Sequence, residues 1–298
     1  MAANPNITWE VSKSYNLGVD ATFFNNRLSF SANVFKDVRD NILGPRNLSV
    51  PSYTGLSLPD ENIREVHNEG FELEAMYDGN VGDFSFYLGG NFTFAKSDQV
   101  YLDEEGLYPE EYQSAEGYPV GAELAYEYTG IYTSQDQIDN LPGYGGGVGD
   151  PIFRDVNNDG VINNADRTRQ ELTNIPQIQY GFQIGGKYKG FELNTVFAGQ
   201  ARATQYLRYS FAPGNNGLRY FLETAYDPEI NPSGIFPALN RGNIVDRSTM
   251  FYRDISFLRL RSAELAYNLP KTWITGVGLS NVRIFLSGYN YVQNSLLT

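Results

Sequence analysis

Apolar and polar positions alternate with a period of two over many separate stretches of this chain. Phe84, Phe86, Leu88, Gly90, Phe92 and Phe94 fall on one face, and Ser85, Tyr87, Gly89, Asn91, Thr93 and Ala95 on the other. Ile178, Tyr180, Phe182 and Ile184 alternate in the same way with Gln177, Gln179, Gly181 and Gln183. A period of two is that of a β-strand, whose successive side chains point to opposite faces. The same pattern predicts strands over 15–24, 28–35, 71–77, 191–197 and 282–288. The stretch 257–269 changes phase between Leu260 and Ala263, which predicts a β-bulge. Each stretch is about ten residues, the length of a tilted strand crossing a bilayer.

The connections alternate in length. Asn25-Asn26, the segment 78–82 and Lys189-Gly190 read as tight turns, and between them lie long connections at 41–65, 97–175 and 210–252. Short turns alternating with long loops mark an outer-membrane barrel. A soluble sandwich shares the period, so the composition of the faces separates the two. The polar face is Ser, Asn, Gln, Gly and Thr with few Lys, and the apolar face is rich in aromatics. The predicted fold is all-β: antiparallel, up-and-down outer-membrane-type barrel strands, about eight of them. Phe84, Phe86, Leu88, Phe92, Phe94, Ile178, Tyr180, Phe182 and Ile184 are expected to meet lipid, and Gln177, Gln179 and Gln183 a wet lumen.

Composition narrows the chemistry. The chain has 298 residues, no Cys and a single His, which excludes disulfides, thiol catalysis, cysteine-ligated zinc and any two-histidine site. His67 reads as a loop-rim residue at the start of a strand. A net charge of −13 argues against nucleic acid as a partner. No apolar run is long enough for a transmembrane helix, while 22 Tyr, 19 Phe and 30 Gly suit a β protein with many lipid-facing rings. The opening Met1-Ala2-Ala3 runs straight into Asn4-Pro5 and reads as an artificial start on a cut-out piece.

One twelve-residue stretch carries metal chemistry. Asp155, Asn157, Asp159, Val161, Asn163 and Asp166 occupy positions 1, 3, 5, 7, 9 and 12 of a loop with Gly160 at position 6 and the apolar Ile162 at position 8. That is the spacing of a calcium loop of the EF-hand type, in which side-chain oxygens and the position-7 carbonyl converge on one hard cation. Position 12 is Asp rather than Glu, so its shorter arm weakens bidentate closure. No amphipathic helix flanks the loop, and the upstream run Gly143–Gly149 suits neither helix nor strand. The alternative is a solvated Asn/Asp/Gly turn. The expectation is calcium held inside a long irregular connection.

Two further groups of residues bear on function. Asp103, Glu104, Glu105, Glu110 and Glu111 lie among Tyr101, Tyr108, Tyr112 and Tyr118. They suit sugar stacking, cation binding or a solvated surface loop. Glu72, Glu74, Asp78 and Glu264 are the acids that strands could project together. Glu72 and Glu74 share a strand face, roughly 7 Å apart by strand geometry, inside the inverting glycosidase range of about 6.5–9.5 Å. Lumen-lining acids are the plainer reading. There is no serine-nucleophile elbow, and Gly145–Gly147 leads into the calcium loop rather than a helix N-terminus. Three functions follow: a transporter piece without catalytic residues, a two-carboxylate glycoside hydrolase, and a soluble calcium-dependent carbohydrate-binding β-domain.

The residues also resemble a known family. The segments 4–10, 16–20 and 24–28, the run Asn68–Glu74, the stretch 149–168 around the calcium loop, and 257–270 with 282–290 are similar to the barrel of SusC/RagA-type TonB-dependent transporters of Bacteroidota. The resemblance spans nearly the whole chain. It implies an outer-membrane importer of glycans or peptides, a barrel of 22 strands with an N-terminal plug, a SusD-like surface lipoprotein as lid, and TonB as the source of energy. On that reading residues 1–298 are a fragment of the transmembrane β-barrel domain, with 97–175 a loop carrying the calcium insertion 155–166. The plug, the TonB box, the first strands and the terminal strand lie outside it.

Overall fold

A computed structural model describes residues 4–45, 59–104, 108–207, 219–239 and 247–295. Four long strands come first: β1 (Val11–Phe23), β2 (Leu28–Gly44), β3 (Glu61–Val81) and β4 (Phe84–Tyr101). The next connection holds the short strands β5 (Leu124–Tyr126) and β6 (Tyr128–Ile131), helix α1 (Gln135–Asn140), and the short strands β7 (Pro151–Phe153) and β8 (Arg167–Arg169). The hairpin β9 (Ile178–Tyr188) and β10 (Phe191–Ala201) follows. A second insertion carries β11 (Thr204–Tyr206), α2 (Arg219–Thr224) and β12 (Tyr252–Asp254). The chain then forms β13 (Phe257–Asn268), the short helix α3 (Lys271–Ile274) and β14 (Arg283–Ser295).

The eight main strands form one sheet in the order β1-β2-β3-β4-β9-β10-β13-β14, every neighbour antiparallel. This is an up-and-down meander with two large insertions. Three of the four joints at one end are tight for local reasons. Phe24, Asn25 and Asn26 all adopt left-handed φ, a conformation that asparagine tolerates because its short side chain bonds locally. Lys189 and Gly190, at φ 47° and 89°, make a two-residue turn matched to the twist of the hairpin. The third turn is Gly82-Asp83 rather than 78–82: Asp78 through Val81 remain paired in β3, with Val81 opposite Phe84.

The long connections are shorter than predicted, because β2, β3 and β4 run on into them. Above the bilayer both faces of a strand are wet, so the period-two signal fades and the segment reads as loop. Ion pairs cross the upper ladder, Lys13–Asp40 at 2.6 Å and Lys36–Glu69 at 3.3 Å, and Lys96–Asp98 at 2.8 Å runs along β4. His67 therefore lies within β3, opposite Val38 and Asp98, with its Nε2 2.6 Å from Glu65 Oε1. It is not at a loop rim. The bulge falls where the phase change put it: the register slips between Leu260 and Ser262, leaving Arg261 unpaired.

Strand register joins the alternating residues into two continuous faces. One row across the sheet reads Phe30, Ala75, Gly90, Phe182, Phe197 and Leu260, and the next reads Leu28, Tyr77, Leu88, Ile184, Thr195 and Ala263. The Phe182 and Phe197 rings stack at 4.4 Å. The opposite face reads Ser31, Glu74, Asn91, Gly181, Ala198 and Arg259. The apolar face is uncovered, with Leu88 51 % and Leu17 75 % exposed. The whole chain exposes 19065 Å², against about 12,600 Å² for a compact soluble monomer of this length. A sandwich would have buried that face.

The buried residues gather in the insertions. Phe153 and Ile162 of the first pack with Phe236, Met250 and Phe251 of the second, and Ile131 packs with Tyr226 and Ala238. Tyr126 N–H donates to the Arg247 carbonyl at 3.0 Å and Ala238 N–H to that of Gly149 at 2.9 Å. The two connections thus fold on each other as one cap at the end of the sheet opposite the tight turns.

Candidate functional site

The 155–166 loop sits in the cap between β7 and β8, and its own polar groups shape it. Asp155 accepts from the Gly160 N–H at 2.8 Å through Oδ2 and from the Asp159 N–H at 3.3 Å through Oδ1. Asp159 Oδ1 accepts from the Val161 N–H at 2.8 Å, and Asn157 Oδ1 from the Asp159 N–H at 3.2 Å. The sharp turn needs left-handed backbone at Asn158 and Gly160, at φ 60° and 84°, which is why glycine stands at position 6. Asp166 is fully buried and closes the ring from inside, accepting from the Val156 N–H at 2.9 Å and the Asn163 N–H at 2.7 Å.

The donor set is all oxygen, which suits a hard divalent cation. Two acceptors such an ion would take are held by amides: Asn157 Nδ2 donates to Asp159 Oδ2 at 3.0 Å, and Asn163 Nδ2 to the Val161 carbonyl at 3.3 Å. Rotation of those amides frees both oxygens. The three carboxylates stop short of a closed shell: among the described residues no three His, Cys, Asp or Glu side chains gather tightly enough to hold an ion. Their shared field is nonetheless visible at Tyr112, whose hydroxyl donates to the Ala165 carbonyl at 2.5 Å. The Tyr112 pKa is raised, first by burial and then by Glu110, Asp166, Asp155 and Asp159.

Residues not singled out in the sequence fix the loop from outside. Gln113 is buried, and its Nε2 donates to the carbonyls of Asn164 at 2.8 Å and Arg167 at 2.9 Å. Tyr126 donates to Asn164 Oδ1 at 3.3 Å. The density of Tyr and Phe between 126 and 153 was the available signal, but without a period it names no partner. Of the acid–tyrosine group, Glu104 turns inward, accepting from the Ala115 N–H at 2.7 Å, and Arg169 lies over the Tyr108 ring at 5.2 Å. Glu105 lies outside the described residues.

The alternative catalytic acids lie on the polar face. Glu72 stands opposite Asn33 and Thr93, and Glu74 opposite Ser31 and Asn91. Both are exposed. Asn33 Nδ2 approaches Glu72 Oε2 at 3.4 Å, and Glu74 lines an open depression of about 300 Å³ with Asn91, Gln183 and Arg261. Glu264 is engaged by Arg283. Neither glutamate is enclosed by apolar side chains. Gln179 and Gln183 share this face as expected. Gln177 does not reach the open lumen: it is buried under the cap, its Oε1 accepting from Arg202 Nε at 2.8 Å.

A two-faced meander of this kind has known counterparts. The family model for the TonB dependent receptor-like β-barrel matches residues 1–290. The chain belongs to that family. TonB-dependent receptor P3 of Formosa agariphila is 28% identical over 97% of this chain and 30% of its own length. TonB-dependent receptor SusC of Bacteroides thetaiotaomicron is 25% identical over 93% of the chain and 28% of its own. The structure of the RagAB peptide transporter superposes with a TM-score of 0.72 at 23% identity, covering 99% of this chain and 33% of that one. The chain thus spans about a third of the length of the relatives it matches. Barrels of the TonB-dependent family lie in the outer membrane, so the apolar face meets lipid. The tight turns are periplasmic and the cap is extracellular.

Proposed function

We propose that the protein carrying this chain is a TonB-driven outer-membrane importer of oligosaccharides or peptides, working with a SusD-like surface lipoprotein. This chain supplies eight adjacent wall strands and an extracellular cap as a fragment of that barrel domain. The observation that carries the reading is the continuous sheet, apolar toward lipid and polar toward the lumen, with two insertions folded together above it. Peptide enters as a candidate cargo through the RagAB likeness, and oligosaccharide through the resemblance of the sequence to SusC/RagA-type transporters. Binding of glycan and peptide panels to the full-length protein in detergent, followed by uptake in cells with and without TonB, tests it. Binding of neither class, or uptake indifferent to TonB, sinks it.

The chain acts without catalysis of its own on this reading. Glu72 and Glu74 line the lumen and help set its charge. Turnover of a glycan that survives purification and is abolished by Glu72→Gln or Glu74→Gln would overturn that.

The 155–166 loop takes calcium as a structural ion, with ligands from Asp155, Asn157, Asp159, the Val161 carbonyl, Asn163 and Asp166. The all-oxygen donor set and the backbone ring that pre-forms the turn support this. Isothermal titration should give one calcium per chain, lost in Asp159→Ala. A flat titration of the folded protein would count against it.

A further inference from the structure

We propose that the outer wall holds one specific lipid at the extracellular edge of its apolar band: a phosphate-bearing lipid of the outer leaflet, with an acyl chain in a groove across β1 to β4 and its headgroup on Lys36. The site stands apart from whatever the protein imports. Strand register draws a chemical boundary here. One row across the lipid-facing side reads Leu17, Val34, Phe71 and Phe94, all apolar. The next row on that side toward the cap reads Tyr15, Lys36, Glu69 and Lys96. Phe94 stands ten residues up β4 from Phe84, about 26 Å above the tight turn at about 3.4 Å per residue and a tilt near 40°. That is the top of an apolar band of about 25 Å. The headgroups of the outer leaflet therefore lie level with Tyr15 and Lys36, where tyrosine rings and snorkelling lysines settle.

A groove of about 640 Å³ opens at this boundary, lined by Tyr15, Leu17, Val34, Phe71 and Phe94, with Lys36 and Glu69 in the row above. Phe71 is fixed on one side, its ring stacked on Phe92 at 5.8 Å and tilted against Phe94 at 5.8 Å. Val34 is the smallest side chain of its row and is 59 % exposed. Apolar contact alone does not select one lipid, because lipid tails are as apolar as the wall. The charged row supplies the selection. Lys36 Nζ lies 3.3 Å from Glu69 Oε2, and both side chains are about half exposed. An ion pair so exposed contributes little, whereas a phosphate offers Lys36 shorter, charge-assisted hydrogen bonds. Lys96, on the other side of Glu69, is held by Asp98 at 2.8 Å. Phosphate therefore takes Lys36 in competition with Glu69, and that competition fixes the sign of the effect each residue has.

The test titrates the full-length protein, delipidated in detergent, with phosphatidylglycerol and with diacylglycerol, which lacks the phosphate. Bound lipid is counted by native mass spectrometry. One phosphatidylglycerol should outlast the others, and diacylglycerol should not replace it. Lys36→Gln should weaken that lipid about five-fold, the effect of one basic residue at an anionic surface. Glu69→Gln should tighten it. Val34→Trp fills the groove and should abolish it with Lys36 still in place. All three positions are exposed, so the variants should fold like the parent. Equal retention by the parent, Lys36→Gln and Val34→Trp would overturn the site. So would diacylglycerol held as firmly as phosphatidylglycerol, or a lipid loosened by Glu69→Gln.

Discussion

The Tyr128 hydroxyl donates to the carbonyl of Ile235 at 2.6 Å, tying together positions 107 apart in the chain. Tyr128 belongs to β6 and Ile235 to the second connection, so this one bond spans the cap. Burial pushes the Tyr128 pKa up to about 12. A folded-state pKa above the unfolded value means the contribution is fully present below pH 10 and is lost as pH rises from about 10 to 12. Alkaline loosening of 219–239, followed by proteolysis, should start in that window. Tyr128→Phe should lose about 0.5–1.5 kcal/mol of cap stability at neutral pH for the missing hydrogen bond, and should flatten the part of the alkaline limb due to Tyr128.

Asp159 and Asp166 should behave differently although both belong to the 155–166 loop. Asp166 is fully buried and accepts two backbone N–H groups. Asp166→Ala leaves those donors unpaired and should destabilise the cap by about 3 kcal/mol or more, with or without calcium. Asp159 lies at the surface, and Asp159→Ala should cost only about 0.5–1.5 kcal/mol without calcium, for its exposed hydrogen bond from the Val161 N–H, and more when calcium is present. Equal melting losses for the two variants in EGTA would contradict the assignment.

Tyr112 would report an ion bound in the 155–166 loop. Its pKa is raised by burial and by Glu110, Asp166, Asp155 and Asp159. Bound calcium cancels much of the field of the last three, so the Tyr112 pKa should fall on calcium addition. An ultraviolet difference titration, with Tyr112→Phe subtracted to isolate its signal, measures the direction. An upward shift or none would mean the cation binds elsewhere.

The two faces of the sheet should tolerate charge unequally. Leu88→Arg and Ile184→Arg place a guanidinium opposite lipid and should cost about 2–4 kcal/mol at mid-bilayer depth. Gln183→Lys, one register position away on the polar face, should fold nearly as well as the parent. Folding yield of the full-length protein into lipid vesicles is the measurement, and equal yields for Leu88→Arg and Gln183→Lys would undo the assignment of faces.

The sheet was legible wherever one side of a strand met lipid and the other water. The rows through Leu88 and Phe182, the turn at Lys189-Gly190 and the bulge near Arg261 all followed from a period of two. The upper halves of β2, β3 and β4 did not, because water wets both sides there and Lys36 or His67 in a ladder looks like Lys or His in a loop. Gln177 obeyed the alternation and still went elsewhere, since the cap covers the strand end where it sits. The turn at 155–166 was readable because the residues that shape it are local in sequence. The core that Ile162 enters was not, because Phe236, Met250 and Phe251 come from a connection 74 to 89 residues downstream and carry no shared period.

The unequal strand lengths tilt the mouth of the wall. β2, β3 and β4 have 17, 21 and 18 residues, whereas β9 and β10 have 11 each. At about 3.4 Å per residue and a tilt near 40°, β3 stands about 55 Å tall and β9 about 29 Å, against an apolar band of about 25 Å. One side is a parapet rising far above the lipid headgroups, and the other barely clears them. The first insertion leaves the high side at the end of β4, where Gln99 exchanges hydrogen bonds with residues 115–119, and comes down on β9, while the second joins β10 to β13 on the low side. The rim of these eight strands is therefore not level: it stands high at β3 and low at β9 and β10, and the folded insertions roof its lower lip.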